Sequence, residues 1–382
     1  LAQYHFTFSP AHLIFNPGSY YDLVVQQIHR LVPTNRRKQR HKMASPMPPW
    51  VEPLPTPPAT AKPWRGEATL SNGMVCTYVM ADTVAVAQKK EKFLKGGPEN
   101  MIIISDFDRT ISTASYTERD GKKIVGQTAY SLLSDSKVIS EATRQKMKSY
   151  HSKYFPMEFD PTIGFEAKYK LMDEWWAASN GALIGEKATM DVVFESVLQA
   201  KMNLRPGFAM AVQMAYQHDI PVIVFSAGLT QIIEHILRKL GPTDLMFPNV
   251  HVVANDLVTD EHNIVVAVKE PLMHSLNKKD TSVAMVSTDR FEWFSPLRCR
   301  SNVLLLGDNL GDANMSDGYD QDTTCIMKVG FLNANEEGLL EQYSRTFDIV
   351  VLHDGPMVPV ATFLQEIIGT RVPIHATPLV PE

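Results

Sequence analysis

MIIISDFDRT, residues 101–110, is the stretch that decides the fold of this 382-residue chain. Its isoleucine-rich run is preceded by Pro98 and followed by charged residues, which is typical of a strand buried on both faces of a parallel sheet. Similar apolar runs recur at residues 222–225, 250–254, 303–306, 325–329 and 349–352. Helical patterns at 231–240 and 336–343 lie between some of them. This alternation predicts an α/β fold with a doubly wound, mostly parallel sheet of the Rossmann type.

One interval breaks this alternation of strands and helices. About 115 residues separate the first strand from the next apolar run, and they contain helical patterns at residues 140–154, 163–179, 189–202 and 206–217. The interval is too long for one crossover connection, so it predicts a helical subdomain inserted after the first strand. We assign residues 113–202 to this cap and residues 65–112 and 203–369 to the α/β core. We expect the ordered part of the core to begin with a helix near residues 81–94.

The two ends of the chain have compositions that do not favour a packed core. Residues 1–42 carry six Lys and Arg side chains against one acid, a bias that also fits a mitochondrial presequence. A true start at Met43 is the alternative that we favour, with a cytoplasmic protein. Proline is frequent from residue 44 to 64, which indicates an extended linker. We therefore assign residues 1–64 to a disordered tail and linker, and residues 370–382 to a C-terminal tail.

The overall composition excludes several classes of protein. The net charge is −5 and the pI is near 6.2, so the chain has no basic field that could hold a nucleic acid polymer. No apolar run approaches the roughly 18 residues that a bilayer span requires, so no membrane association is expected. The three cysteines are widely separated and form no C-x-x-C pair, which is typical of a reduced intracellular protein. We expect a globular monomer.

Acidic residues follow two of the predicted strands. Asp106 and Asp108 end the first strand, and Asp308 and Asp312 follow the run at 303–306. Ligands bind at the carboxyl ends of strands in open α/β sheets. Carboxylates that converge there repel one another unless a cation such as Mg²⁺ lies between them. A single acidic pair is more often a solvated turn, but two acidic strand ends in one sheet predict a shared metal site.

Ser226 and Lys278 offer the groups that a phosphate requires. Ser226-Ala227-Gly228 follows a predicted strand and precedes a helix, where a hydroxyl and free backbone N–H groups suit an anion. A helix N-cap is the alternative role for Ser226. Lys278, within Asn277-Lys278-Lys279-Asp280, offers a cation for a phosphate oxygen, and a solvated surface lysine is its alternative.

The order of these motifs resembles the haloacid dehalogenase superfamily of phosphatases, and more narrowly the type III cytosolic 5′-nucleotidases. The four motifs are D-F-D-x-T, S-A-G, N-K-x-D and G-D-x-x-x-D. Further segments that look like the narrower family lie at residues 154–161, 166–169, 174–176, 221–228 and 330–333. The resemblance covers roughly residues 80–368 and implies a haloacid dehalogenase-like core with an inserted cap. Arg109 departs from the pattern, because an apolar residue is usual there.

The resemblance also implies a role for each motif. Asp106 would be the nucleophile that forms an aspartyl-phosphate, and Asp108 would be the general acid and base. The Mg²⁺ ligands would come from Asp106, the Asp108 carbonyl, Asp308 and Asp312. The groups that hold the phosphoryl oxygens would be Ser226, the Ala227 N–H and Lys278.

In this family the cap covers the site and contacts the base. Glu158, Ser179 and Trp176 match the substrate-contacting positions, and the Glu158 carboxylate can accept hydrogen bonds from an exocyclic amine or a ring N–H. Trp175 and Trp176 are about 100° apart on a helix, so we expect one of them to line the pocket and the other to be core. Members active on 7-methylguanosine monophosphate tend to carry Trp-Trp here, whereas pyrimidine-preferring members tend to carry Trp-Tyr.

The sequence therefore predicts a Mg²⁺-dependent 5′-nucleotidase acting on CMP, UMP or 7-methyl-GMP, with the preferred base left open. Phosphoryl transfer to a second nucleoside is a further activity that the resemblance implies. One alternative is a phosphatase for another small metabolite such as phosphoserine. A non-catalytic phosphate-binding relative is the other, and the presence of Asp106 and Asp308 disfavours it.

Overall fold

The computed structural model describes residues 63–69, 74–117, 120–160, 162–278, 297, 299–317 and 325–369. The predicted tails at residues 1–62 and 370–382 lie outside this part of the chain, as do Lys279 and Asp280. Trp64, assigned above to the linker, is the first residue of a strand. Within the described ranges, no helix has both the length and the apolar content that crossing a membrane requires.

Within the residues that the structure describes, eight strands form one sheet, and two short hairpins lie outside it. The strands are β1 (Trp64–Thr69), β2 (Val75–Met80), β3 (Met101–Asp106), β4 (Ser115–Thr117), β5 (Lys123–Val125), β6 (Val222–Leu229), β7 (Val250–Asn255), β8 (Leu257–Thr259), β9 (Val265–Val268), β10 (Asn302–Gly307), β11 (Cys325–Leu332) and β12 (Ile349–Leu352). Their order in the sheet is β1-β2-β12-β11-β10-β3-β6-β7. The six strands from β12 to β7 are parallel, and β1 and β2 are antiparallel additions, which confirms the predicted fold class.

After β3, the next strands in the chain are added on one side of it and the later strands on the other. The candidate site lies at this switch point. The chain continues from β3 to β6 and β7 on one side, and to β10, β11 and β12 on the other. All residues of β3 and β10 are buried, because their apolar side chains pack on both faces of the sheet. Asp106 lies opposite Phe225 of β6, and Leu306 of β10 lies opposite Ser105. The carboxyl ends of β10, β3 and β6 therefore lie side by side at the switch point, where ligands bind in such sheets.

Helices flank the sheet and form the predicted insertion. They are α1 (Thr83–Gly96), α2 (Ala129–Asp135), α3 (Glu141–Phe159), α4 (Phe165–Glu186), α5 (Met190–Leu198), α6 (Phe208–Gln217), α7 (Thr230–Lys239), α8 (Glu336–Thr346) and α9 (Val358–Ile368). Helices α2 to α5 lie between β3 and β6 in the chain and make up the cap, whose aromatic core contains Tyr154, Met172 and Trp175.

The two linkers between cap and core pair with each other. The backbone N–H of Thr113 donates to the carbonyl of Asn203 at 3.0 Å, and that of Arg205 donates to the carbonyl of Ile111 at 2.6 Å. This crossing lies beside the boundaries assigned from the sequence, 112/113 and 202/203. The domain division itself stays a prediction.

The beginning of the ordered core differs from the prediction. Strands β1 and β2 precede helix α1, so the expectation that a helix opens the ordered part is wrong. All but the first residue of β2 are buried, and β2 pairs with β12, which lies some 270 residues further along the chain. A contact so distant in sequence leaves no local pattern by which these short strands could be recognised.

Candidate active site

Three carboxylates meet at the carboxyl edge of the sheet. Asp106 ends β3, Asp308 directly follows β10, and Asp312 lies in the short 3₁₀ helix Leu310–Asn314. One oxygen from each of the three lies within 4.8 Å of the others. The structure thus brings together the two acidic strand ends that the sequence analysis singled out.

Lys278 is the cation of this cluster. Its Nζ donates to Asp106 Oδ1 and, at 2.9 Å, to Asp312 Oδ1, and only 9% of its side chain is exposed. Burial acts to lower the pKa of Lys278, but the two carboxylates outweigh burial and hold that pKa above its usual value. The ammonium is therefore charged at neutral pH, and the alternative of a solvated surface lysine is wrong.

Asp312 fixes the geometry of its neighbours. Its Oδ2 accepts hydrogen bonds from the backbone N–H groups of Asp308 at 3.2 Å and Asn309 at 3.0 Å. Both of its oxygens thus hold protein donors, since Oδ1 is bound by Lys278. Asp312 ties the loop after β10 to the lysine, and its predicted role as a metal ligand stays a prediction.

The cluster carries an excess of negative charge. The four carboxylates of Asp106, Asp108, Asp308 and Asp312 lie around one cavity with two cations, the Lys278 ammonium and the Arg109 guanidinium. Burial, only partly offset by Lys278, raises the pKa of Asp106 to about 7. Burial and the neighbouring carboxylates raise the pKa of Asp308 well above its usual range. A further cation in this cavity would relieve the repulsion.

The oxygen atoms at the site fit a hard divalent cation. Asp106 Oδ2 is buried and has no hydrogen-bond partner in the described part of the chain, so one oxygen of the nucleophile candidate is left for a ligand. Asp308 supplies a second carboxylate within reach. An all-oxygen donor set of this kind suits Mg²⁺.

Asp108 lies where the core meets the cap. Its Oδ1 accepts a hydrogen bond of 2.7 Å from the backbone N–H of Ala129, the first residue of α2. Burial raises the pKa of Asp108 to about 6. A carboxyl group with a pKa near neutrality can both donate and accept a proton, as the predicted role requires.

Ser226 lies inside β6, and α7 begins only at Thr230, so its alternative role as a helix N-cap is wrong. The Ser226 Oγ accepts a hydrogen bond of 3.1 Å from the backbone N–H of Gly228. This bond uses a lone pair of the oxygen and leaves the hydroxyl hydrogen available to a ligand. Ser226 faces the same cavity as Lys278.

A cavity of about 190 Å³ lies over these groups, between core and cap. The predicted site residues that line it are Asp106, Asp108, Glu158, Trp176, Ser226, Ala227, Lys278, Asp308 and Asp312. Burial raises the pKa of Glu158, which faces the cavity from α3. Ser179 lies elsewhere, behind the wall, with its Oγ 3.0 Å from the Tyr130 hydroxyl. The predicted contact of Ser179 with substrate stays a prediction.

Both tryptophans of the cap reach this cavity. Trp176 donates its indole N–H to the carbonyl of Ala227 at 2.8 Å. Trp175 is 4% exposed and donates its indole N–H to the Tyr130 hydroxyl at 3.2 Å. Trp175 therefore belongs to the cap core and to the cavity wall at once, whereas the sequence analysis assigned one tryptophan to each.

Three aromatic residues of the cavity wall were not predicted. They are Tyr130, His151 and Phe155. The rings of His151 and Phe155 stack with centroids 4.8 Å apart, and the two residues lie four positions apart on α3. Residues at this spacing share a helix face, so the spacing relative to Glu158 was the signal that could have found them. Tyr130 carries no such signal.

Comparison with known proteins identifies the family. Residues 110–368 match the family model described as pyrimidine 5′-nucleotidase (UMPH-1). The chain is 36% identical over 289 residues to 7-methylguanosine phosphate-specific 5′-nucleotidase A of Xenopus laevis, a match that covers 76% of this chain and 95% of the relative. It is 31% identical to the human 7-methylguanosine phosphate-specific 5′-nucleotidase, over 80% of this chain and 97% of that one.

Solved structures agree with the sequence matches. The crystal structure of cytosolic 5′-nucleotidase IIIB bound to cytidine superposes with a TM-score of 0.67 and 29% identity, covering 76% of this chain and 93% of that one. These matches confirm the resemblance to the type III cytosolic 5′-nucleotidases and the prediction that the chain is a 5′-nucleotidase. The chain belongs to the pyrimidine 5′-nucleotidase (UMPH-1) family.

Proposed function

We propose that this chain hydrolyses nucleoside 5′-monophosphates to nucleoside and phosphate, with Mg²⁺ and through an aspartyl-phosphate on Asp106. One observation carries the proposal: five carboxylates, a serine hydroxyl and two cationic side chains, from distant segments of the chain, line a single cavity beneath an aromatic cap. A phosphate with two negative charges cannot enter such a cavity without additional positive charge, so a divalent cation is part of the proposal.

In the first step, a carboxylate oxygen of Asp106 attacks the phosphorus of the substrate. A bond forms between this oxygen and phosphorus while the bond from phosphorus to the ribose O5′ breaks. Asp108 donates its proton to O5′, which leaves as the nucleoside hydroxyl. The raised pKa of Asp108, about 6, supports this role because a carboxyl group with a pKa near neutrality can both give up and regain a proton.

In the second step, water displaces the aspartyl group. Asp108, now ionised, takes a proton from the water as its oxygen attacks phosphorus, and the bond from phosphorus to the Asp106 oxygen breaks. Inorganic phosphate leaves and both aspartates return to their starting states. A nucleoside hydroxyl in place of water would give phosphoryl transfer by the same step.

Lys278 and Ser226 orient the phosphoryl group in both steps. The Lys278 ammonium, already held by Asp106 and Asp312, supplies fixed positive charge where negative charge develops. The Ser226 hydroxyl and the Ala227 N–H donate to the remaining oxygens. Mg²⁺, held by Asp106, the Asp108 carbonyl and Asp308 with support from Asp312, would neutralise charge between nucleophile and phosphate.

The aromatic wall of the cap supports a nucleoside as the leaving group. Trp175, Trp176 and the stacked pair His151 and Phe155 offer flat surfaces for a base, and Glu158 offers a hydrogen-bond acceptor beside them. Relatives named for 7-methylguanosine phosphate and a relative crystallised with cytidine support the two classes of base that the sequence left open. A cationic 7-methylguanine would stack favourably on the indole rings.

The proposal also includes the cellular location and the oligomeric state of the protein. A relative from Caenorhabditis elegans, 32% identical to this chain, is named putative cytosolic 5′-nucleotidase 3, which supports a cytoplasmic location. We retain the expectations of a monomer that binds neither nucleic acid polymers nor membranes.

The test is phosphate release from CMP, UMP, 7-methyl-GMP, AMP and phosphoserine, with MgCl₂ or with EDTA. We expect release from at least one nucleotide, lost in EDTA and restored by excess Mg²⁺. Release from phosphoserine alone would refute the nucleotide as substrate. Undiminished release in EDTA would refute the metal requirement.

A further inference from the structure

Asn255, the last residue of β7, joins the two phosphate-binding segments of the core. Its side chain is buried, with 1% of the residue exposed. The two N–H groups of Nδ2 face three carbonyls, those of Ala227 at 2.9 Å, Gly228 at 3.2 Å and Met273 at 2.8 Å, so two of these carbonyls share one hydrogen. The Oδ1 atom accepts from the backbone N–H of Met273 at 2.7 Å. No sequence motif includes this residue.

The position of Asn255 follows from an irregularity in the sheet. Strands β6 and β7 are paired in register up to Phe225, which lies opposite Val253, and pair again only at Leu229, which lies opposite Asn255. Four positions on β6 therefore correspond to two on β7, so the backbone between Phe225 and Leu229 bulges out of the ladder. In this bulged segment the carbonyls of Ala227 and Gly228 accept hydrogen bonds from the Asn255 side chain. These bonds replace bonds of the regular strand pair.

Asn255 is connected to Ser226 through the Ala227–Gly228 peptide group. The Ala227 carbonyl and the Gly228 N–H belong to one planar peptide group and point in opposite directions. Asn255 binds this carbonyl, and the Gly228 N–H donates to the Ser226 Oγ at 3.1 Å. Holding the carbonyl thus fixes the plane of the peptide, and with it the donor that orients the Ser226 hydroxyl.

Asn255 is connected to Lys278 through the segment from Met273 to Asn277. Asn255 binds both backbone groups of Met273, which allows neither rotation nor sliding of this residue. The segment that continues from Met273 is closed by Asn277, whose side chain accepts from the His274 N–H at 2.7 Å and donates to the Leu272 carbonyl at 2.8 Å. Lys278 is the next residue.

We propose that Asn255 is a positioning residue that holds the Ser226 segment and the Lys278 segment at a fixed separation, so that both contact one phosphoryl group. The inference rests on the proposed function, since the phosphoryl group is its ligand. Asn255 does not contact the phosphate itself. Its loss removes the bonds that join the two segments and lets them move independently, although the Ala227 carbonyl keeps the Trp176 indole N–H as a donor.

The test compares Asn255→Ala and Asn255→Asp with Asn249→Ala. Asn249 lies near the opposite end of the same strand pair, where its Nδ2 donates to the Ile220 carbonyl at 2.7 Å, so it is a matched amide remote from the cavity. Asn255→Asp keeps the size of the side chain and its acceptor but removes the donors. For each protein, calorimetry gives the dissociation constant of inorganic phosphate in MgCl₂, assays give kcat and KM for the preferred nucleotide, and thermal melts report folding.

We expect both Asn255 variants to bind phosphate about tenfold or more weakly and to lose about tenfold or more in kcat, because bonds to buried carbonyls are lost. Asn249→Ala should stay within about twofold in both readouts, as a remote site does, even where its melting temperature falls equally. An Asn255→Asp or Asn255→Ala protein that is folded at the assay temperature and matches Asn249→Ala would overturn the inference.

The same measurements separate this inference from the proposed function. A wild-type protein that binds phosphate but hydrolyses no nucleotide refutes the proposed function, and the phosphate affinities still decide the role of Asn255. A wild-type protein that neither binds phosphate nor hydrolyses a nucleotide overturns both.

Discussion

At the scale of single residues, the two aspartates of the DFD motif differ because their surroundings differ. Asp106 is ion-paired with Lys278 and has one buried oxygen to which no group in the described ranges donates. Asp108 instead accepts a backbone N–H at the start of α2, and burial raises its pKa to about 6. The first environment suits a nucleophile and the second a group that exchanges a proton.

Glu158 lies on the cap side of the cavity, so its effect should depend on the base. We predict that Glu158→Ala lowers kcat/KM for the preferred nucleotide by about 10 to 100-fold, because the base would lose a hydrogen-bond acceptor in a buried site. Release from p-nitrophenyl phosphate, which has no base, should change by less than about threefold. Steady-state kinetics on both substrates checks this, and losses of equal size would contradict the assigned role.

The sequence predicted the charged residues of the core site better than the residues that position them. Asp106, Ser226 and Asp308 lie in short motifs next to apolar strands, so a local pattern identifies them, and Lys278 was identified by its order between these motifs. Asn255 lies in no recognisable local motif. Its three carbonyl partners come from segments 18 to 28 residues away in the sequence. Its function depends on a bulge in β6, which only the folded sheet reveals.

At the scale of elements, two glycines at paired positions of β10 and β11 have different neighbours. Gly307 lies opposite Gly330 in the parallel pair. A Cβ atom at Gly307 would lie 2.4 Å from the Cβ of Asp312, and one at Gly330 would lie 2.5 Å from the ring of Phe347. Both strands thus need glycine for close packing, but only the first packs against the site.

We predict that Gly307→Ala mainly impairs catalysis. Displacing Asp312 would disturb its bonds to Lys278 and to the loop after β10, so kcat should fall by about 10 to 100-fold. Gly330→Ala, the control, should lower the free energy of unfolding by about 1 to 3 kcal/mol through overpacking against Phe347. Its kcat should change by less than about twofold. Urea titrations and kcat measurements on both variants check this, and an unimpaired Gly307→Ala enzyme would contradict it.

The predicted elements are those with long or strongly apolar patterns. Strands β3, β6, β7, β10, β11 and β12 were found from their apolar runs, and the cap helices α3, α4 and α5 from their periodicity. The short cap helix α2 was not predicted. Strands β1 and β2 were missed because their burial depends on the distant β12. The end of β6 was placed too early, since Ser226 to Leu229 continue as a bulged strand, whereas the sequence analysis ended the strand at Phe225.

At the scale of the whole molecule, Arg205 ties the cap linkers to the core. Its guanidinium donates to the carbonyls of Thr110 and Gly355, both at 2.7 Å, and lies 3.2 Å from Asp354. Asp354 in turn accepts the backbone N–H of Ser115 at 2.7 Å. Burial lowers the pKa of Arg205 to about 10, which leaves it charged at neutral pH. One buried charge thus holds the outgoing linker, the returning linker and the loop after β12.

We predict that Arg205→Met lowers the free energy of unfolding by about 3 to 5 kcal/mol, because Asp354 and several carbonyls would lose a buried partner. Arg238→Met provides the control, since Arg238 forms a partly exposed i,i+4 pair with Glu234 at 3.0 Å. Its loss should cost under about 1 kcal/mol. Urea titrations of both variants check this. Similar decreases in the free energy of unfolding would contradict the proposed role of Arg205 in holding the linkers to the core.

The run of helices between β3 and β6 was predictable from the length of this interval, because no single crossover needs so many helical residues. Its attachment was not. Nothing in the sequence around Arg205 distinguishes it from a surface arginine. The carbonyls that accept its hydrogen bonds belong to Thr110 and Gly355, some 95 and 150 residues away. A buried arginine is stable only where remote partners surround it, so its role follows from the fold and not from local sequence.

The central claim is that Asp106 carries the phosphoryl group during turnover. The most direct measurement is acid quenching of the enzyme in Mg²⁺ while it hydrolyses a nucleotide labelled with ³²P at its phosphate. We predict protein-bound label that hydroxylamine releases, as it does from an acyl phosphate, and no bound label with Asp106→Asn. Rapid hydrolysis by the wild type without bound label, together with turnover retained by Asp106→Asn, would contradict the account.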